Sequence, residues 1–529
     1  MKKGFLLLTF LFALHSAKNT GHAQVFALPS PLNTHLNAET QPSISANGRT
    51  MLLRADTGED KAEEVLISYQ EGGRWSRPAP LTAINTGGGK LFNGQHSISH
   101  DGNTIVFISN RYGGIGNQDV WFMERNSAGT WMSPENPGKP INSPGVEGDP
   151  SLSPDGKKLF FVRFDGKPGP NGQPCGKIFV AEKKGRNLWS EPVALPAPIN
   201  KGCECNPRML SDGQTMTFAS VRDGGKGGYD QYLARLDEKG KWSTPVPFET
   251  VNTENDDLYI SIPATGELVY FTAPAKVGTD IVAARIPDHL KPAKVIIRYG
   301  KITDENKSKL DARIVLTDLK TNELNVIGTW YDGSYTLFLP HGLKADIAFQ
   351  ANDNGYLWHS SHEDITLEKT IEENKDIQLP KIKPGLTLDL IGMDFSLKPV
   401  KLQKSSHHDL NRLTRLIKDN PGRKYVINVA YTDIILDTIP TPDLTEIKYD
   451  SIETFIERIS EEDSSQIILE KEIIVKTYYH NNRTPKEAEE IYKFLIEKGV
   501  PPAKIEVKGI GKSTRKVPGE ARITELNIL

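Results

Sequence analysis

The stretch PSLSPDGKKLFF, residues 150–161, decides the fold. It returns as PSISANGRTMLL from Pro42, HSISHDGNTIVF from His96 and PRMLSDGQTMTF from Pro207, with a looser ISIPATGELVYF from Ile260. The turn glycines Gly48, Gly102, Gly156, Gly213 and Gly266 are spaced 54, 54, 57 and 53 residues apart. Trp75, Trp131, Trp189 and Trp242 keep step with them, each opening a W-S-x-P or W-M-S-P phrase. Two markers in phase at this period predict blades or a solenoid. In the third unit, PSLS enters a Pro-Asp-Gly turn and KKLFFVR leaves it. KIFVAEK and LWSEPVAL then supply a third strand and an edge strand. Four antiparallel strands per unit make a propeller blade, and the glycine provides the positive φ that the tight hairpin needs.

The fifth unit has no Trp-bearing edge strand of its own. The segment VFALPSPLNT near the N-terminus reads like PVPFETVNT of the preceding unit. It is expected to supply the missing strand and latch the ring. Five blades are predicted, or six if a degenerate unit is present. SPDGKKLFFVR and its copies resemble the TolB-type propeller repeats, a WD-repeat-like fold, over residues 24–290. That resemblance speaks to fold and not to activity.

Lys2 and Lys3 precede a short apolar run, Gly4–Leu14, and Gly21 and Ala23 precede a cleavage site. Residues 1–23 thus read as a signal peptide, and no later stretch is apolar for the ~18 residues a membrane helix needs. The chain is expected to be exported to the periplasm, associated with the outer membrane or wall. The net charge of −3 gives no electrostatic case for nucleic acid. Cys175, Cys203 and Cys205 fit an oxidising compartment with one bridge, Cys175–Cys203 or Cys175–Cys205, and one thiol left over. With no histidine pattern beside them they are not read as metal ligands, and no cofactor is expected. Asp119, Asp230 and Asp280 occupy one recurring slot and read as turn-fixing acceptors for backbone N–H groups.

Beyond residue 290 the period stops. Residues 294–380 alternate in ARIVLTDL and SYTLFLP, with turns at Asp332-Gly333 and Asn354-Gly355, as in a small antiparallel sandwich. GKITD, DGSYTLFLPHG and Gly355-Tyr356 resemble the carboxypeptidase regulatory-like domain, which implies a spacer or adhesion module. Trp330 and Trp358 are assigned to its core.

From residue 386 to 529 the order β-α-β-α-β-β predicts an α+β domain. One helix carries Leu410, Leu413, Leu416 and Ile417 on one face, with Ser405 or Ser406 as its cap. A second helix ends at Gly499. DNPGRKYVINVAYTD and EAEEIYKFLIEKGVPPAKIEVKGIGKS resemble the C-terminal family of outer-membrane protein A, which holds peptidoglycan by its diaminopimelate group. The resemblance implies that Asp433, beside Thr432, takes the ligand ammonium, while an Arg heading the second helix takes its carboxylate. Here that Arg position is Glu487, and the closing double-Arg phrase keeps only Arg522. Arg483, four residues earlier, either reaches the ligand or pairs with Glu487, the second being favoured. The insertion at 434–481 reads as an acidic loop with a short helix, its acids (Asp437, Asp443, Asp450 and Glu453 among them) lying on a solvated surface.

The combination is similar to accessory envelope proteins of Bacteroidota-type bacteria that serve outer-membrane assembly or secretion. It implies a non-catalytic scaffold whose propeller binds envelope proteins or glycans while the C-terminal domain faces peptidoglycan. The alternative is a propeller-based hydrolase or lyase acting on glycans or peptides. Against it, the sequence has no Gly-x-Ser-x-Gly elbow and no His-Glu-x-x-His helix. Sialidase-type boxes also separate Asp and Gly by one residue, whereas Asp155 and Gly156 are adjacent.

Overall fold

The computed structural model describes residues 25–529 except 35–37, 57–62, 87–91, 127, 170–173, 277, 398, 433–435, 438, 441–443, 460–466, 514 and 516–521. The expected signal peptide and Asp433 lie outside the described residues. The chain forms two compact units, Met1–Ile297 with Leu367–Ile371, and Arg298–Thr366 with Glu372–Leu529.

The first unit is a set of antiparallel sheets in tandem. Four inner strands, Glu39–Ile44, Asn93–Ile98, Glu147–Leu152 and Cys203–Met209, each run into the repeated turn. The five turn glycines have φ between +64° and +78°, so a side chain at any of them would be strained. Outer edges are built as the Trp phrases predict: Trp75 pairs with Gln70, Trp189 with Lys183, Trp131 with Arg125 and Trp242 with Leu236. In the fifth sheet, Leu268–Pro274 pairs with Thr279–Arg285, and the N-terminal strand Val25–Ala27 completes it on the far side.

A second series of residues, not singled out in the sequence, fixes each sheet. Asn85, Asn142, Asn200 and Asn252 each receive a backbone N–H on Oδ1 and return Nδ2–H to the carbonyl of the same residue. Their partners are Val65, Val120, Ile178 and Gln231, at 2.8–3.0 Å throughout. Each Asn follows the strand it clasps. Asn33 makes the same clasp with Ile281, at 3.0 and 2.8 Å, although it precedes the first sheet and Ile281 lies in the fifth. The N-terminal segment therefore does for the fifth sheet what each later connection does for its own. Leu28 and Leu32 beside it pack with Met51, Leu53, Trp75, Ile281 and Ala283.

Contacts between sheets complete the circuit. Ile98 N–H donates to Ser43 Oγ at 3.0 Å, Ser151 Oγ–H to Pro207 O at 2.6 Å, and Ile44 N–H to Ser261 Oγ at 2.9 Å. The last of these joins the first sheet to the fifth, so the five sheets close on themselves as propeller blades do. The bridge is Cys175–Cys203, with Cα atoms 4.8 Å apart, and Cys205 is a buried thiol. It ties the third sheet to the fourth across 28 residues, a loop whose closure is worth about 3.6 kcal/mol in the chain-entropy treatment.

In the second unit, residues 298–366 and 372–378 contribute to two four-stranded sheets packed face to face. Tyr335 meets Phe349 edge-on at 5.2 Å between them. Arg298 is buried and forks onto Glu363 at 2.8 and 2.7 Å, with Glu373 at 2.8 Å. The α+β part has sheet order Thr387–Asp389, Arg522–Ile528, Tyr425–Tyr431, Ile505–Lys512, the last pair parallel. Helices His407–Asp419 and Thr484–Glu497 contribute Leu410, Leu413, Ile491 and Leu495 to its core. Trp358 is buried in that same core, and Trp330 is half-buried.

Two expectations are corrected here. Neither serine caps the first helix through its side chain. Ser406 Oγ instead receives Asp394 N–H at 2.7 Å, and Ser405 Oγ–H donates to Asp394 Oδ2. Asp409 in the first turn is occupied too, accepting from Trp358 Nε1–H, Ser360 Oγ–H, Ile391 N–H and Arg412. The insertion holds no helix among its described residues. It is a long hairpin, Leu444–Ile459 against Ile467–Asn481, because apolar residues at alternate positions favour a strand over a helical face.

Asn33→Ala removes the clasp on Ile281 and leaves its buried amide without that acceptor, while its carbonyl keeps Leu28 N–H at 3.1 Å. Urea unfolding is expected to show a loss of about 1–3 kcal/mol; a loss under about 0.5 kcal/mol, typical of surface changes, would contradict the latch.

Candidate functional site

Two places collect chemistry-bearing residues. The first is the inner rim of the ring. Gln41, Gln95, Asp149, Asn206 and Tyr259 all have positive φ, between 45° and 58°, and each lies seven residues before its turn glycine. In the first four units the inner strand has an irregular register at this point. A left-handed non-glycine residue costs about 1–2 kcal/mol, and the hydrogen bonds show what offsets it. Gln95 N–H donates to Gln41 Oε1 at 3.1 Å, and Asp149 N–H to Gln95 Oε1 at 3.3 Å. Asn206 N–H donates to Asp149 Oδ2 at 3.1 Å, and Tyr259 N–H to Asn206 Oδ1 at 3.1 Å. Each side chain thus holds the backbone of the next sheet. Tyr259 does not pass the belt on, and Gln41 N–H turns to Thr272 Oγ1 at 3.3 Å.

Arg208 and His96 line the same region. The Arg208 guanidinium donates to Pro150 O and His96 O, both at 2.9 Å, spanning three sheets. Burial pushes it down to about 10. Burial likewise pushes Asp149 up to about 6, against the Asn206 hydrogen bond and Arg208, and pushes His96 down to about 3. Among the five belt residues Asp149 is the single carboxylate. The acids two residues earlier, Glu39, Glu147, Glu204 and Asp257, hold the preceding connections through Thr34, Ser143, Gly202 and Thr253. Asp119 and Asp230 accept backbone N–H groups from residues 115–116 and 226–227, the turn-fixing role.

The second place is the head of helix Thr484–Glu497. The parallel strands bring four of the family-implied residues to one end of the sheet. Thr432 follows strand Tyr425–Tyr431, Arg522 pairs in register with Tyr431, Arg483 is the helix N-cap residue, and Glu487 lies in the first turn. Thr484 Oγ1 accepts Gly511 N–H at 3.0 Å, and a Cβ at Gly509 would sit 2.2 Å from Thr484 C, so the helix head rests directly on the strand.

The pairing differs from the sequence expectation. Arg483 is bound not to Glu487 but to Asp437 of the insertion, and Asn481 Nδ2–H donates to the same carboxylate at 2.5 Å. Glu487 faces Arg522 at 3.0 Å. Burial pushes the Glu487 carboxyl up, with Arg522 and Arg483 drawing it back. Asp437 is thus mostly buried rather than part of a solvated acidic surface, while Asp450 and Glu453 are exposed; Asp443 lies outside the described residues. Among the described residues two basic side chains meet two acidic ones here, Arg483 with Asp437 and Arg522 with Glu487. Sequence spacing could not reveal Asp437, since its strand Leu436–Asp437 is brought in by pairing with Tyr479 and His480.

No family model matches the chain, and no curated protein matches it. Among solved structures it is similar to TolB from Acinetobacter baumannii, at 12% identity and TM-score 0.30, over 47% of this chain and 54% of TolB. The match thus spans about half of TolB's length. A thermostable family-43 glycoside hydrolase matches at 13% identity and TM-score 0.34, over 48% and 91%. The oligogalacturonate lyase of Vibrio parahaemolyticus matches at 10% and 0.30, over 51% and 100%. Likeness at this level decides nothing about activity.

The raised Asp149 has a consequence for pH. The folded state keeps its proton up to about pH 6, whereas the unfolded chain releases it near 4. This residue's contribution to stability therefore declines as pH rises from about 4 to 6. Asp149→Asn is expected to remove on the order of 2 kcal/mol of that decline in urea titrations across this window; an unchanged slope would refute the assignment.

Proposed function

We propose that this chain is a non-catalytic scaffold of the bacterial cell envelope, exported and held on the periplasmic side of the outer membrane or at the wall. Its ring presents surfaces to protein or glycan partners, the sandwich acts as spacer, and the α+β domain faces peptidoglycan. The observation that carries this reading is the belt. The inward positions at which a ring of sheets could gather reacting groups are used to bind each sheet to the next. Glycoside hydrolysis by the common route needs two carboxylates, about 5–5.5 or 6.5–9.5 Å apart. The belt offers one.

The wall-facing role is weighed by magnitude. A micromolar site is worth about 8 kcal/mol, while breaking a buried ion pair costs about 3–5 kcal/mol. A ligand carboxylate that must displace Asp437 from Arg483 is left with roughly 3–5 kcal/mol, a millimolar affinity. The domain then touches peptidoglycan weakly, and the insertion sets how weakly.

Pull-down with purified sacculi tests this. Wild type is expected to be retained weakly, Asp437→Ala at least about tenfold better, and Asp437→Ala combined with Arg483→Ala at background. Equal retention of all three, with folding verified by circular dichroism, would overturn the wall-facing role.

A further inference from the structure

The insertion hairpin carries a surface that its own unit leaves uncovered. Its register pairs Tyr449 with Thr477, Ser451 with Val475, Glu453 with Ile473 and Phe455 with Lys471. Alternation along the ribbon therefore puts Ile447, Tyr449, Phe455, Leu469, Ile473 and Val475 on one face. They are 44, 67, 62, 67, 58 and 59% exposed. The other face mixes charged residues such as Lys448, Asp450, Glu472 and Lys476 with the pair Ile452–Ile474. A two-stranded ribbon alone is marginal in water, and six large apolar side chains at such exposure form a patch beyond what isolated surface residues explain.

We infer that this face is a self-association surface on which the hairpin of a second copy of this chain stacks, antiparallel and about a two-fold axis. The register argues for a second copy over other occupants. A two-fold centred between the Ser451–Val475 and Glu453–Ile473 pairs lays each strand over its own counterpart. Tyr449 then meets Phe455 of the other copy, Val475 meets Ile473, and Tyr479 meets Leu469. Ser451 meets Glu453, and Thr477 meets Lys471, so polar positions fall on polar positions. Glu457 over Ile447, at the outermost pair, is the one mismatch. Glu453 and Lys471 already form an ion pair at 2.6 Å within one hairpin, which neutralises the charge that the stacked face would cover. The six apolar side chains expose roughly 600 Å² per copy, so stacking removes about 1,200 Å², the lower bound for specific stable interfaces. An anionic membrane is the poorer occupant, because the connection between the strands contains Glu461, Glu462 and Asp463. The inference is independent of the wall-facing role.

Sedimentation equilibrium of the full exported chain is expected to give twice the chain mass. Y449E combined with V475E should give a single chain mass, with dimerisation weakened at least about tenfold and an unchanged thermal midpoint. A mixture of S451C and E453C chains should form an oxidised heterodimer, which reports the register directly. A wild-type monomer would overturn the inference, and one that floats with anionic phospholipid vesicles would assign the face to a membrane instead. So would a dimer untouched by Y449E/V475E, or a dimer without the 451–453 cross-link.

Discussion

The two hydrogen bonds between Asn33 and the backbone of Ile281 turn a row of sheets into a ring. They hold in place the N-terminal segment whose strand Val25–Ala27 covers the edge of Thr279–Arg285, an edge that would otherwise be unpaired. Unpaired edges invite pairing with other chains. Joining the ends of a long chain costs entropy that grows only slowly with length, so a clasp of local geometry suffices to decide closure. The same clasp occurs at Asn85, Asn142, Asn200 and Asn252, and each time one side chain satisfies both backbone groups of a single strand residue. The belt at the inner rim acts alongside it, since Gln41, Gln95, Asp149 and Asn206 each pass a hydrogen bond to the next sheet.

Much of this was legible in the sequence, and the limits are physical. The turn glycines and edge tryptophans recur because each solves a problem inside one repeat, so their spacing exposes the repeat. The need for an N-terminal strand followed from the edge missing in the fifth unit. The asparagine clasp also left a signal, in the phrases LNT, INT, INS, INK and VNT ending at residues 34, 86, 143, 201 and 253. These are short, lie in connections and are easily passed over. The belt varies in side chain, from Gln to Asp, Asn and Tyr, because what repeats there is a backbone angle.

The C-terminal part was legible in its elements and not in its partners. Leu410, Leu413, Leu416 and Ile417 mark one helix face, and Gly499 ends the other helix at φ +80°. The strand pattern of the insertion was masked by charged residues on its second face. Asp437 reaches Arg483 only through pairing across a 46-residue separation, which local spacing does not encode. The same holds where Asp346 of the sandwich meets Arg412 and His362. Burial pushes Asp346 up, yet hydrogen bonds from His362 and Arg412 outweigh it and hold the carboxyl low, while the bond to Asp346 raises His362. In such buried pairs the cost of desolvating both charges offsets much of their attraction.

Native-state hydrogen exchange at the amide of Ile281 tests the closed ring most directly. If the N-terminal segment completes the fifth sheet, that amide is protected to the same degree as Val120 and Gln231, held by the equivalent clasps. Exchange of Ile281 at the rate of a fraying edge, while Val120 and Gln231 stay protected, would contradict it.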